Sequence, residues 1–143
     1  MTDLYQDAIV ALAKAANRAG RLDRADASLT RDNPLCGDRV TLDIRLDGAR
    51  IADIAHRVRG CLLCEAAASA IGAHAIGKSA DDVAAARQGL RALLETGKTN
   101  AGLWPGSDSF TPVRSYASRH GCVLLPFETL HELLTQATAG KSP

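Results

Sequence analysis

Between Arg39 and Leu46 the chain alternates without a break, with Val40, Leu42, Ile44 and Leu46 apolar and Arg39, Thr41, Asp43 and Arg45 polar. A period of two places these sets on opposite faces of a β-strand that buries one face. Asp47-Gly48 is a tight-turn signal. Beyond it, Ile51, Ile54, Ala55 and Val58 predict a second, less regular and bulged strand running to Gly60. Nothing between the strands is long enough for a parallel crossover, so they form an antiparallel hairpin. The polar stretch before it, RLDRADASLTRD (21–32), has room for a short edge strand near residues 25–30.

Outside the hairpin the period changes to that of a helix. Leu4, Ile9, Leu12, Ala15 and Ala16 predict an N-terminal helix within residues 1–20, stopped by Gly20. CLLCEAAASAIGAHAIG (61–77) predicts a helix of small side chains that packs very close to its neighbours. Ser79 with Asp82 is a capping box. It opens a helix with Val83, Ala86, Leu90 and Leu93 on one face and Gly97 at its end. GKTNAGLWPGSDSFTP (97–112) is expected to be a flexible loop. Pro126, at a first helical turn, begins a closing helix that buries Leu130, Leu133 and Leu134. This order predicts one α+β domain over residues 1–143, with a small antiparallel sheet of two to three strands covered by helices.

Composition narrows the function. Aromatic residues are 3% of the chain, too few for a base-stacking platform, and 17 basic against 16 acidic residues leave a net charge of only +1. Nucleic acid is therefore not an expected partner. No apolar run reaches the roughly 18 to 20 residues of a membrane span, and Asp3 and Asp7 stand where a signal peptide needs positive charge. The chain is expected to be soluble and cytoplasmic. Four cysteines there point to metal or redox chemistry before structural disulfides.

Antiparallel pairing brings the start of the first long strand beside the end of the second, and so Cys36 and Asp38 beside Cys61. Cys61 opens a helix, whose amide groups and dipole are expected to favour thiolate. Cys122 must be delivered by tertiary folding. Three thiolates and a carboxylate would complete a tetrahedral site, and the harder carboxylate ligand suits a site that releases its cargo.

NPLCGD (33–38), a hairpin with DG at its turn, RGC (59–61) opening an Ala/Ser-rich helix, GKS (77–79) and a late cysteine together resemble the NifU N-terminal-like, IscU/SufU-type iron–sulfur cluster assembly scaffolds. The likeness spans roughly residues 28–135. It implies a SufE/NifU-like fold. It also implies a site of Cys36, Asp38, Cys61 and Cys122 holding zinc (Zn2+) or a nascent [2Fe–2S] or [4Fe–4S] iron cluster. The implied partners are a SufS-type cysteine desulfurase and recipient apo iron–sulfur proteins. Such a protein is a scaffold rather than an enzyme, at most a sulfurtransferase-like acceptor of persulfide sulfur. Cys36 is the acceptor by resemblance to the SufU type, and Cys122 by resemblance to other scaffolds. Many members carry histidine before the late cysteine, inside a chaperone motif, where this chain reads RHGC with Gly121. The lost motif and the 97–112 segment look more like the SufU type. The family's first-helix pattern is reduced to LAKAANRAG.

Cys64 shares a helix face with Cys61, one turn on, and reads either as a spare ligand or persulfide carrier or as a small buried side chain. Two other functions stand beside the scaffold: a thiol oxidoreductase using CLLC, and a structural zinc domain for protein interaction. Arg39 reads as a solvated charge beside the site and His120 as an exposed loop residue. His56, His74 and His131 read as surface or helix-face residues, and Trp104 as a loop anchor or partner contact.

Overall fold

The computed structural model describes residues 6–139, so Asp3 and Leu4 of the expectations above lie outside the described residues. Strands β1 (Ala27–Asn33), β2 (Asp38–Asp47) and β3 (Arg50–Arg59) form one antiparallel sheet in the order β1-β2-β3. The four α-helices are α1 (Asp7–Ala15), α2 (Leu62–His74), α3 (Ala80–Thr96) and α4 (His120–Ala137). The α+β class follows as expected, and the edge strand runs further toward the hairpin than residues 25–30.

The alternation in β2 sets the register. Val40 pairs with Val58, Leu42 with His56 and Ile44 with Ile54, so one face of the hairpin is continuous. Arg45 pairs with Asp53 but Leu46 with Ile51, which leaves Ala52 as an extra residue in β3. This bulge keeps both Ile51 and Ile54 buried. Helices α2 and α4 cover the sheet, α1 packs on α2, and α3 packs on α4.

The small side chains of α2 explain how closely it packs, since Ala66, Ala67, Ala68, Ser69 and Ala70 are all buried. Gly72 lies against the backbone of Asn17, where an added Cβ would come within 2.8 Å of the carbonyl carbon. Asn17 is tied down by donating from its amide Nδ2 to Ser69 Oγ (3.0 Å), the same oxygen that accepts from the Asn17 backbone N–H. This anchor ends α1 at Ala15 rather than at Gly20, with Ala16 in the left-handed region (φ 45°).

His56 corrects an expectation. It is buried on the core face of β3, not at the surface. Its Nε2–H donates to the Asn17 carbonyl oxygen at 2.8 Å, a contact from far along the chain, while its Nδ1 is buried without a partner among the described residues. Burial pushes its pKa down, with the Asn17 contact opposing. His74 is exposed and His131 half-buried.

The capping box at Ser79 forms in full, and Gly97 closes α3 with φ +77°. The segment 97–112 carries buried Trp104, Ser107 and Phe110 and enters a 3-10 helix, Ser107–Ser115. Trp104 is a loop anchor, with its Nε1–H donating to the Ala70 carbonyl at 2.7 Å and its ring edge-on to Phe127 at 5.9 Å. A second 3-10 helix, Ala117–Arg119, leads straight into α4. That helix therefore begins at His120 and not at Pro126, which lies inside it. The ring leaves the Cys122 carbonyl without its helical partner. Burial of Cys122, Val123, Leu125, Pro126 and Phe127 around this turn offsets that loss. Among the described residues no helix is long and apolar enough to cross a membrane.

Candidate functional site

The loop 34–37 joins β1 to β2, closed by the pairing of Asn33 with Asp38. Gly37 has φ +73°, a backbone region nearly reserved for glycine. It turns the chain between Cys36 and Asp38 so that both side chains point the same way, and Cys36 Sγ donates to Asp38 Oδ2 at 3.1 Å.

Across the hairpin, Arg39 pairs with Arg59, which brings Gly60 and Cys61 up to Asp38. The backbone N–H of Cys61, the N-cap of α2, donates to Asp38 Oδ1 at 2.9 Å. Cys61 Sγ stands 3.5 Å from Oδ2. One carboxylate oxygen is thus fixed by the helix start, and the other faces the thiols. Gly60 makes room for this, because a Cβ there would lie 2.8 Å from the Asp38 Cγ. Sequence reasoning missed the role of Gly60. Its position before Cys61 was visible, but the reason for glycine was not.

Cys122 arrives in the first turn of α4, fully buried, with its Sγ 3.1 Å from Cys36 Sγ. Ligand atoms of Cys36, Asp38 and Cys122 lie within 4.8 Å of one another, the group of this kind found among the described residues. Cys61 joins them through Asp38. Cys36 and Cys61 are half-buried, while Asp38 is only 1% exposed. Leu35, beside Cys36 at the loop tip, is 94% exposed, so the site lies under an open rim.

The electrostatics follow from burial. Burial works to raise the pKa of Asp38, but the Cys61 N–H and the thiols of Cys36, Cys122 and Cys61 together hold it below the ordinary carboxylate value. The thiols shift the other way. Cys61 was expected to be acidified by its helix start. Instead its pKa is raised, by burial first and the Asp38 charge in addition, against backbone N–H groups of Cys64 and Leu63. Burial, then Cys36, Asp38 and Cys61, push Cys122 up as well. Cys61 and Cys122 thereby keep their thiol protons until a cation replaces them. The two sulfurs of Cys36 and Cys122 and the Asp38 oxygen lie close enough together to serve one ion, while Cys61 stands outside that group with its Sγ 3.5 Å from Asp38 Oδ2. Thiolates select zinc or iron–sulfur species.

The remaining candidates fall outside this group. Cys64 is fully buried in the core, and burial together with the charges of Asp38, Cys61 and Cys36 raises its pKa strongly. His120 is half-buried at the start of α4, with Nε2 3.1 Å from the Val113 carbonyl and 3.0 Å from that of Arg114, turned to backbone rather than to sulfur. Arg39 pairs with Asp32 at 2.7 Å on the solvated side of the sheet.

Known proteins are similar to this chain in sequence and fold. The family described as the NifU-like N terminal domain matches residues 4–99. The iron–sulfur cluster assembly scaffold protein IscU of Thermotoga maritima is 24% identical over 131 residues, covering 92% of each chain. IscU of Streptococcus pyogenes is 25% identical, over 96% of this chain and 86% of its own. The crystal structure of a nitrogen-fixing NifU-like protein (N-terminal) from Brucella abortus superposes with a TM-score of 0.89 at 31% identity, covering 96% of both chains. A candidate iron–sulfur scaffold of the SUF system from Fervidobacterium islandicum gives 0.83 at 26%, covering 92% of this chain and 96% of its own. With more than half of its length matched, and with the hairpin, the CGD turn and the GC helix start built as described, the chain belongs to the NifU-like N-terminal domain family.

Proposed function

We propose that this protein is an iron–sulfur cluster assembly scaffold that holds zinc or a nascent cluster as cargo between Cys36, Asp38, Cys61 and Cys122. The observation that carries the reading is the buried Asp38 carboxylate, with one oxygen tied to the Cys61 N–H and the other facing the thiols of Cys36 and Cys61. Relatives named as IscU scaffolds support it. An oxygen ligand among sulfurs binds a soft ion less tightly than a fourth thiolate, which suits a cargo that must leave.

The sulfur acceptor is Cys36. It is half-buried on the outer loop, whereas Cys122 is fully buried behind it. The Cys36 thiolate attacks the outer sulfur of a cysteine desulfurase persulfide. A new S–S bond forms on Cys36, the desulfurase S–S bond breaks, and its thiolate leaves. The recipients are apo iron–sulfur proteins. Cys64, buried and strongly shifted toward its protonated form, argues against a CLLC oxidoreductase.

The test is metal analysis and absorption spectroscopy of protein purified without oxygen, before and after incubation with cysteine, iron and a cysteine desulfurase. Each of Cys36→Ala, Cys61→Ala and Cys122→Ala is expected to lose most bound metal. Full occupancy in all three would refute the shared site. Peptide mass analysis should find the added sulfur on Cys36, and finding it on Cys122 alone would reverse the acceptor assignment.

A further inference from the structure

Asn33 belongs to no catalytic or ligating set, yet most of the polar contacts of the Cys36 loop end on it. Its main-chain oxygen accepts from Gly37 N–H (2.8 Å) and Cys36 N–H (3.3 Å), and its side-chain Oδ1 accepts from Leu35 N–H (3.1 Å). Because Oδ1 is committed to the loop, the amide Nδ2 must face the other way. It faces Gly121, where an added Cβ would sit 2.7 Å from it. Gly121 directly precedes Cys122, whose sulfur lies 3.1 Å from that of Cys36.

We infer that Asn33 is a positioning residue, a carboxamide strut that shapes the Cys36 loop with one end and seats the first turn of α4 with the other. Its two ends set the separation of Cys36 and Cys122, and Gly121 is the matching half of the device. Residue 33 ends β1, whose Arg31 also reaches α4 through Glu132 at 3.3 Å. A side chain at position 121 would need the space that Asn33 Nδ2 fills, so Asn33 and Gly121 should be read as a pair. The inference rests on the proposed function in taking Cys36 and Cys122 as members of one cargo site.

The test uses the full chain as Asn33→Ala, Asn33→Ser, Gly121→Ala and the Asn33→Ala/Gly121→Ala double variant. Two quantities are read: zinc affinity by chelator competition, and the rate at which diamide joins Cys36 to Cys122 in zinc-free protein. Each single change should weaken zinc binding by roughly tenfold, the effect typical of groups that orient ligands, and slow the disulfide. Asn33→Ser retains a hydroxyl acceptor for the loop and should still show the loss, because it no longer reaches Gly121. In the double variant the Cβ at 121 occupies vacated space, so Gly121→Ala adds nothing to Asn33→Ala. Wild-type values for Asn33→Ser, or losses that multiply in the double variant, would overturn the inference. If the wild-type chain bound no zinc, the proposed function would fail, while the disulfide rates would still decide the role of Asn33.

Discussion

The Cys61 backbone N–H and the Asp38 carboxylate meet at 2.9 Å only because Gly60 has no side chain between them. A Cβ at 60 would lie 2.8 Å from the Asp38 Cγ, closer than packed atoms allow. Gly60→Ala should therefore push Asp38 out of the site. Overpacking of this kind costs about 1–3 kcal/mol in stability, and zinc affinity should fall by roughly tenfold or more. Calorimetric zinc titration beside urea unfolding checks both. Unchanged affinity would mean that Asp38 is not a ligand.

Cys64 separates a neighbour from a ligand. It is fully buried in the core, one helical turn beyond Cys61. Cys64→Ala should retain full metal stoichiometry and lose about 1 kcal/mol of stability, as for a small buried apolar side chain. Cys61→Ala should do the reverse, since its side chain is half-buried and beside Asp38. Metal analysis of the two variants decides the matter, and metal loss in Cys64→Ala would make it the fifth member of the site.

Trp104 holds the 97–112 segment to the helical layer through Ala70, with Phe127 against its ring and the Lys78 ammonium 5.9 Å over it. Trp104→Ala should cost about 3–5 kcal/mol. Trp104→Phe keeps most of the apolar contact but leaves the buried Ala70 carbonyl without its donor, for a loss of about 1–3 kcal/mol. Denaturant unfolding followed by circular dichroism measures both, and near-equal values would assign the anchoring to the hydrogen bond rather than the ring.

The hairpin was legible because a period of two has one structural meaning, and the capping box at Ser79 because its contacts are local. The grouping of Cys36 and Asp38 with Cys61 followed from antiparallel pairing, while Cys122 came only through resemblance to a family. What sequence did not reveal was non-local. His56 is a core residue because the carbonyl of distant Asn17 accepts a hydrogen bond from its ring. The start of α4 was hidden by Pro126, since the usual rule places proline at a helix beginning, and here apolar burial carries the helix through it. Cys61 was read from its helix start, but burial outweighed the dipole. Gly60 and Gly121 are invisible as requirements until Asp38 and Asn33 are seen lying against them.

Asp43 supplies an acid-sensitive lock on the outer face of the sheet. It accepts from Arg57 Nη1 at 2.9 Å, Ser28 Oγ at 2.7 Å and the Leu22 N–H at 3.2 Å. Burial alone would raise its pKa, but these partners bring it from 3.8 down to about 2. A carboxylate with a depressed folded pKa contributes stability that is complete above the unfolded value and disappears as pH falls through the folded one. The contribution is about 2 kcal/mol, present above pH 4 and lost toward pH 2. Unfolding free energies measured over that interval should fall more steeply for the wild-type chain than for Asp43→Asn. Parallel curves would show that Asp43 is not the group responsible.

The two sulfurs of Cys36 and Cys122, 3.1 Å apart, need to approach by only about 1 Å to reach the bond length of a disulfide, roughly 2.05 Å. In zinc-free protein, diamide should therefore join this pair first, taking up the two electrons and two protons released by the thiols. Bound zinc should protect both, because metal binding commits the thiolates. Cys64 should remain reduced, since it is fully buried and strongly shifted toward its protonated form. Peptide mapping under non-reducing conditions distinguishes the products. A dominant Cys61–Cys64 bridge would instead return the chemistry to the CLLC helix start, and the oxidised chain would then be the form to assay for thiol exchange.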